Sequence, residues 1–144
     1  MKVCTFFGHR TCPDSIKPKL RKTLIHLIEA QQVTLFYVGN HGSFDAMVLS
    51  VLRELILRYP HIDYAVVLAY MPSEQKESNP FNPSETMLPE GIETVPKRFA
   101  ISWRNKWMLT QADYVVTYIT HSWGGAAQFA DMAKRKKKSI IPLA

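Results

Sequence analysis

Short apolar runs alternate along this chain with segments whose apolar residues recur at helical spacing. The first two runs, 2–7 and 33–39, are each closed by a glycine and followed by an amphipathic segment. Because successive parallel strands are joined by right-handed crossovers, this order predicts a parallel sheet covered by helices on both faces. The predicted fold class is therefore α/β, a doubly wound, Rossmann-like sheet of about five strands.

Five strands and four helices account for most of the chain. The predicted strands are 2–7, 33–39, 64–71, 113–119 and 139–143. The predicted helices begin at Asp14 or Ser15, at Ser43 or Asp45, and near positions 98 and 125. The segment 72–97 holds five of the nine prolines and shows no periodicity, which predicts a long loop.

Length and composition limit the class of protein. The chain of 144 residues fits one domain, so we expect 1–144 to fold as a unit. Its residues are 47% hydrophobic and 21% charged, and no apolar run approaches the roughly 20 residues of a membrane helix. The N-terminal run lacks the small-residue cleavage site of a signal peptide. We therefore expect a cytoplasmic protein without a membrane partner.

Cysteine and charge patterns point to few special sites. Cys4 and Cys12 match neither a disulfide framework nor a zinc pattern, so we expect free thiols and no metal site. The net charge is +6, and the run KRKKK at 134–138 supplies five positive charges. Basic residues at a helix C-terminus are favourable against the helix dipole, and this explanation needs no partner. Nucleic-acid binding would need basic and aromatic residues spread over one face, and it is kept as an alternative.

Three loops with glycine beside polar or basic residues follow predicted strands. They read GHRTCP, GNHGSFD and THSWGGAAQ. In an open parallel sheet, ligands bind beyond the carboxyl ends of the strands, where the strand order reverses. An arginine binds phosphate bidentately, and glycines at a helix start open the first backbone amides to an anion. The predicted ligand-binding residues are Gly8, His9, Arg10, Gly39, Asn40, Gly42, Ser43, Ser122, Gly124 and Gly125.

Simpler explanations of the same residues stay open. None of the three loops is a Walker loop, and none is the GxGxxG fingerprint. The glycine pair at 124–125 is also compatible with a plain tight turn. Arg10 is alternatively the partner of a carboxylate, with His9 a surface residue. Asp131 is alternatively a solvated carboxylate on a helix.

The stretch RNKWMLTQADYVVTYITHSWGGAAQFAD at 104–131 resembles the lysine-decarboxylase-like LOG proteins. In that family an Arg-Lys-x-x-Met helix leads through Gln-Ala-Asp into a strand and a Gly-Gly-x-Gly-Thr-x-x-Glu loop. With FFGHR, YVGNHGSFDAMVLSVLRELILRYPHI and VVLAYMP, the resemblance covers nearly the whole chain apart from the proline-rich loop. It indicates the SLOG superfamily of nucleotide-ligand binders, and the small YpsA-like branch is more similar than the LOG enzymes.

The resemblance implies two candidate catalytic residues. LOG enzymes hydrolyse the N-glycosidic bond of nucleoside 5′-monophosphates with an arginine and the motif glutamate. Carried over, Arg104 would contact the phosphoribose and Asp131 would occupy the glutamate position. The departures are Asn105 for the lysine, Ala127 and Gln128 for Gly-Thr, the shorter carboxylate and three extra residues before the glycine pair. A misplacement of about 1 Å costs up to a hundredfold in rate, so these departures favour binding over hydrolysis.

Three functional hypotheses follow. The leading one is binding of a nucleotide or ADP-ribose-like ligand, as a sensor or regulatory domain that requires no cofactor. The second is a phosphoribohydrolase of the LOG type that acts on nucleoside 5′-monophosphates. The third is a single-stranded DNA-binding module, in the manner of SLOG relatives of DprA type. Family members commonly form homodimers, and the sequence leaves both the ligand and the oligomeric state open.

Overall fold

The computed structural model describes residues 1–70 and 82–144, so the parts of the predicted third strand and long loop within 71–81 lie outside the described residues. The strands are β1 Lys2–Gly8, β2 Val33–Val38, β3 Asp63–Val67, β4 Thr86–Met87, β5 Tyr114–Tyr118 and β6 Ser139–Pro142. The helices are α1 Lys17–Glu29, α2 Gly42–Arg58, α3 Lys97–Gln111 and α4 Gly125–Arg135. The strands form one sheet in the order β4-β3-β2-β1-β5-β6, and every pairing is parallel.

Helices cover both faces of the sheet, as the alternation of apolar side chains in β1 requires. Phe6 packs in one core cluster with Leu24 of α1 and Val48 of α2. Phe7, the next residue, points to the other face and stacks on Phe129 of α4 with ring centroids 5.5 Å apart. The doubly wound, Rossmann-like prediction is therefore confirmed, with α1 and α2 on one face and α3 and α4 on the other.

The short strand β4 corrects the prediction of a long loop over 72–97. Thr86 and Met87 pair with the carboxyl end of β3, and Met87 O accepts a hydrogen bond from Leu68 N at 2.9 Å. A bidentate ion pair fastens this segment to α2, because Arg53 Nε and Nη2 each lie 2.8 Å from a carboxylate oxygen of Glu85. This hydrogen bonding lowers the pKa of Glu85. A two-residue strand has no periodicity, which is why the sequence pattern did not reveal it.

Predicted element boundaries also move, and α2 begins at Gly42 rather than at Ser43 or Asp45. The third strand was predicted from 64 to 71 but ends at Val67, although Leu68 and Ala69 are buried beyond it. Neither Asp14 nor Ser15 caps α1, because Asp14–Ile16 forms a separate 3₁₀ turn and α1 begins at Lys17. Pro18 lies in the first turn of α1 and is compatible with the later start. The backbone N–H that proline lacks would have no hydrogen-bond partner within the helix at this position.

Cys4 and Cys12 are both buried free thiols, and burial raises the pKa of each. Within 1–70 and 82–144, no helix combines the length and the apolar character that crossing a membrane would need.

Candidate ligand-binding site

The site lies where the strand order reverses, between β1 and β5. These strands are neighbours, and Gly8 at the end of β1 pairs with Tyr118 at the end of β5. The chain leaves β1 toward α1 and β2, and it leaves β5 toward α4 and β6, so the two loops separate and open a cleft. The cleft has a volume of about 630 Å³. Its lining comes from the loops after β1 and β5, the start of α2, the inner face of α3 and the start of α4.

Gly124 and Gly125 present bare backbone at one wall of this cleft. Gly124 is the N-cap of α4 and has φ +96°, a conformation that favours glycine. No side chain caps the helix, and a Cβ on either glycine would meet no atom within 4 Å. Gly124, Gly125 and Ala126 line the cleft, so the unpaired first amides of α4 face a space that an anion can enter.

Three other predicted ligand-binding glycines serve the packing of the protein. A Cβ on Gly8 would lie 2.2 Å from Cδ2 of Phe44, so this glycine lets the phenyl ring pack against β1. A Cβ on Gly42, which has φ +89°, would lie 2.7 Å from Arg10 Cα. Gly39 separates two polar groups, since its Cβ would lie 2.9 Å from Asp45 Oδ2 and 3.3 Å from Arg104 Cζ. Of these three, only Gly8 also lines the cleft.

Ser43 and Asn40 use their side chains to hold the loops together. The Ser43 hydroxyl donates to Arg10 O and accepts from Cys12 N, both at 2.7 Å, and so joins the loop after β1 to α2. Asn40 Oδ1 accepts a hydrogen bond from Arg104 Nη1 at 2.9 Å. Neither residue lines the cleft. Their geometry gives them a positioning role behind the cleft wall.

His9 is buried and holds the loop after β5. Its Nε2 accepts hydrogen bonds from the backbone N–H groups of Thr120 at 2.9 Å and His121 at 3.4 Å. A ring nitrogen that accepts from amides carries no proton, so His9 is neutral with its proton on Nδ1. Burial, and then the neighbouring His121, lower the pKa of His9, which agrees with this assignment.

Arg104 lies almost wholly inside the protein, with 2% of its surface exposed. Its Nη1 donates to Asn40 Oδ1 at 2.9 Å and to the Val67 carbonyl at 2.8 Å, and its Nε donates to Asn105 Oδ1 at 2.8 Å. Its Nη2 lies 3.1 Å from His41 Nδ1. Because a guanidinium has five N–H donors, these contacts leave about one for a ligand in the cleft.

His41 and Asp45 also line the cleft, although they were not among the predicted ligand-binding residues. His41 Nδ1 accepts from Arg104, so its ring is neutral. Burial, Arg104 and Arg10 lower its pKa. Asp45 Oδ2 accepts the His41 backbone N–H at 3.0 Å. Burial raises the pKa of Asp45 from 3.8 to about 6 against the opposing effects of this hydrogen bond and of Arg104. The sequence did contain a signal for Asp45, because a carboxylate lies there in the first helical turn after a glycine-bearing loop.

The raised pKa of Asp45 predicts a pH-dependent stability difference. Between 3.8 and about 6, the folded protein holds a proton on Asp45 that the unfolded chain has released, so this group's contribution to stability falls as pH rises. Asn in Asp45→Asn does not titrate and can still accept the His41 N–H. Urea unfolding across this window should show the variant gaining stability relative to wild type, with a plateau above about 6. A difference that stays constant with pH would contradict the assignment.

Asp131 and Ser122 line a different cleft from Arg104. This second cleft, of about 450 Å³, lies between the loop after β5, α4 and β6, and it also includes Lys134. Arg10 and Arg104 line the first cleft only. The structure therefore does not bring the two predicted catalytic residues together at one pocket, and their catalytic roles stay predictions.

The basic run at 134–138 begins in the last turn of α4, at the end opposite Gly124. A helix of this length extends roughly 16 Å, so the run lies at the far end of α4 from the glycine pair, with Lys134 at the second cleft. Its placement agrees with the favourable interaction between basic side chains and a helix C-terminus. In the described parts of the chain, no group of three or more His, Cys, Asp or Glu side chains is arranged to hold a metal ion.

Neither a protein-family model nor a curated protein matches the chain. Among solved structures, it is similar to DNA processing protein A (DprA) from Streptococcus pneumoniae, with a TM-score of 0.69 and 12% sequence identity. The similarity covers 99% of this chain and 50% of that chain, so this chain spans about half the length of its solved relative. The fold is thus shared with DprA, while the SLOG, LOG and YpsA-like relations stay predictions. The chain has a DprA-like, Rossmann-type α/β fold.

Proposed function

We propose that this chain binds a nucleotide or an ADP-ribose-like ligand, with a phosphate at the start of α4. The observation that supports this most is the open backbone of Gly124 and Gly125, which line the cleft and have no atom within 4 Å of either Cβ position. A phosphate needs such an approach to bare amides, because any side chain there would hold it away.

The charges around the cleft favour an anion. Arg10 is exposed at the cleft, and within 1–70 and 82–144 its guanidinium has no hydrogen-bond or ion-pair partner. An unpaired arginine is suited to bidentate phosphate binding. Arg104, which also lines the cleft, adds a buried positive charge, and Asp45 is the carboxylate among the described lining residues. The alternative explanation of Arg10, a pair with a carboxylate, finds no partner in these residues.

The hydrolase hypothesis receives less support. It needs Arg104 and Asp131 at one ligand, whereas these residues line separate clefts. The DNA-binding hypothesis rests on the fold shared with DprA, while the basic run lies at the far end of α4 from the cleft. Both hypotheses are therefore less well supported than the binding of a small phosphate-bearing ligand.

Gly125→Ala tests the proposal, because it adds one methyl group where the phosphate would approach. Calorimetric titration with ADP-ribose should show an affinity lower by about 10- to 100-fold, since a lost charge-assisted hydrogen bond costs roughly 1.5–3 kcal/mol. Unfolding stability should be unchanged or slightly raised, because the Cβ meets no atom within 4 Å and alanine favours a helix.

The matched control replaces two exposed basic residues at the other end of the same helix, Arg135 and Lys136, with glutamine. This variant should bind ADP-ribose with wild-type affinity, because neither residue lines the cleft and the helix between them and the glycine pair is roughly 16 Å long. Equal affinity of Gly125→Ala and wild type would refute a phosphate at the start of α4. Failure of ADP-ribose, AMP and cyclic nucleotides to bind wild type would refute the proposed function as a whole.

A further inference from the structure

Three rings form a continuous stack beside the glycine pair. The rings of His9 and His121 have centroids 3.6 Å apart and planes inclined by 14°. The rings of His121 and Trp123 have centroids 3.9 Å apart and planes inclined by 19°. Two near-parallel rings this close cannot occupy the same face of His121, so His121 lies between the other two. Trp123 therefore ends the stack, and among residues 1–70 and 82–144 no further ring lies on its outer face.

The inner end of the stack is fixed, and the outer end is open. His9 is buried, and its Nε2 holds the amides of the loop that carries the other two rings. Trp123 is 70% exposed, although indole is a large apolar surface that proteins usually cover. Packing does not explain why the loop holds a tryptophan in one orientation with most of its surface in solvent. Such a rigid, exposed aromatic face is typical of a stacking platform.

A second observation indicates a ligand at this place. The His121 Nδ1 is buried and has no hydrogen-bond partner within the described ranges. A buried polar atom without a partner is costly, and it calls for a group that the structure does not contain. His121 lines the cleft together with Gly124 and Gly125. Because this nitrogen is buried, a ligand hydroxyl or amino group would reach it only if the loop shifts when the ligand binds beside the phosphate-facing amides.

We propose that Trp123 binds the aromatic base of the ligand by stacking, so that the site selects nucleotides over other phosphate esters. The inference rests on the proposed function, because it places the base one residue away from the glycines that would receive the phosphate. In a nucleotide, one sugar separates the base from its phosphate. This spacing matches a stacking ring at Trp123 and phosphate-binding amides at Gly124 and Gly125, which are adjoining residues of one loop. A sugar phosphate without a base would bind the amides alone.

The test compares AMP with ribose 5-phosphate on wild type, Trp123→Ala and Trp123→Phe. Trp123→Ala should weaken AMP binding by about tenfold, the usual effect of removing one stacking ring, and leave ribose 5-phosphate binding unchanged. Trp123→Phe should retain most of the AMP affinity, because phenylalanine also offers a ring face. AMP should quench tryptophan fluorescence in wild type, and this quenching should be absent in Trp123→Phe, which keeps Trp103 and Trp107.

Leu57→Ala is the control for removal of an exposed apolar side chain, since Leu57 is 85% exposed in the last turn of α2. It should leave both affinities unchanged.

If Trp123→Ala weakens the binding of AMP and of ribose 5-phosphate equally, the ring only supports the loop. If it weakens the binding of neither, the ring does not contact the ligand. Each result overturns base stacking but not phosphate binding. Failure of both AMP and ribose 5-phosphate to bind wild type would overturn base stacking, and only failure of ADP-ribose and cyclic nucleotides as well would overturn the proposed function. Binding of single-stranded oligonucleotides alone, lost in Trp123→Ala, would assign the platform to nucleic acid and overturn the inference.

Discussion

Arg104→Met is expected to destabilise the folded protein by roughly 3 kcal/mol. The guanidinium donates to the Val67 carbonyl, to Asn40 and to Asn105, and all three acceptors would remain after the substitution. Replacement of a buried charge by an apolar side chain is tolerated when its partners are replaced as well. Here one partner is backbone and the others are the side chains of Asn40, behind the cleft wall, and Asn105, at the cleft, so all three would lose their donor within the protein.

The measurement is urea unfolding of Arg104→Met beside Arg98→Met. Arg98 lies on the same helix with its side chain exposed, so its replacement should change stability by no more than about 0.5 kcal/mol. The loss of stability in Arg104→Lys should lie between those of the two methionine variants. An ammonium group keeps the charge, but it lacks the planar set of donors that lets a guanidinium bond several acceptors at once. A loss below about 1 kcal/mol in Arg104→Met would contradict the network described for this residue.

Gly8→Ala is expected to destabilise the fold by about 3 kcal/mol, because the new methyl group has no space. Its Cβ would lie 2.2 Å and 2.4 Å from Cδ2 and Cγ of Phe44, a side chain with no exposed surface. The phenyl ring cannot turn away easily, since its Cγ is near the backbone and the ring packs against Tyr118 with centroids 6.2 Å apart. The backbone of Gly8 has no positive φ, so the whole cost comes from packing.

A double-mutant cycle isolates this cause. In a Phe44→Ala background, where the ring is absent, Gly8→Ala should cost little, so the two substitutions should be strongly non-additive. Thermal or urea unfolding of the four proteins measures the coupling. Additive losses would show that Gly8 is required for a reason other than the phenyl ring. If Gly8→Ala lost ligand binding but not stability, Gly8 would have the ligand-binding role that was predicted from the sequence.

The alternation of strands and helices was sufficient to predict the layers and the position of the cleft. A sheet with β1 at the reversal of strand order places the loops after β1 and β5 at one edge, whatever the side chains do. The residues within those loops were harder to assign. Gly8 and Gly124 look alike in the sequence, yet one gives space to a core ring and the other opens the backbone to the cleft.

Contacts between distant segments account for the rest. Asp45 was taken only as a helix start, and its position at the cleft depends on α2 being brought to the reversal point of the sheet. The two-residue strand β4 depends on an ion pair between Arg53 and Glu85, 32 residues apart. The ring stack that ends at Trp123 requires His9 from another loop. None of these contacts leaves a periodic signal in the chain.

Phosphate binding at the start of α4 is tested most directly by the change in backbone amide chemical shifts on titration with ADP-ribose. Saturable shifts of the Gly124, Gly125 and Ala126 amides are expected, because these amides would donate to the phosphate. The amide of Gly91, which lies outside the cleft lining, should not move. Unchanged amides at 124–126 with shifts confined to the basic run at 134–138 would contradict a phosphate-binding cleft at the reversal of the sheet.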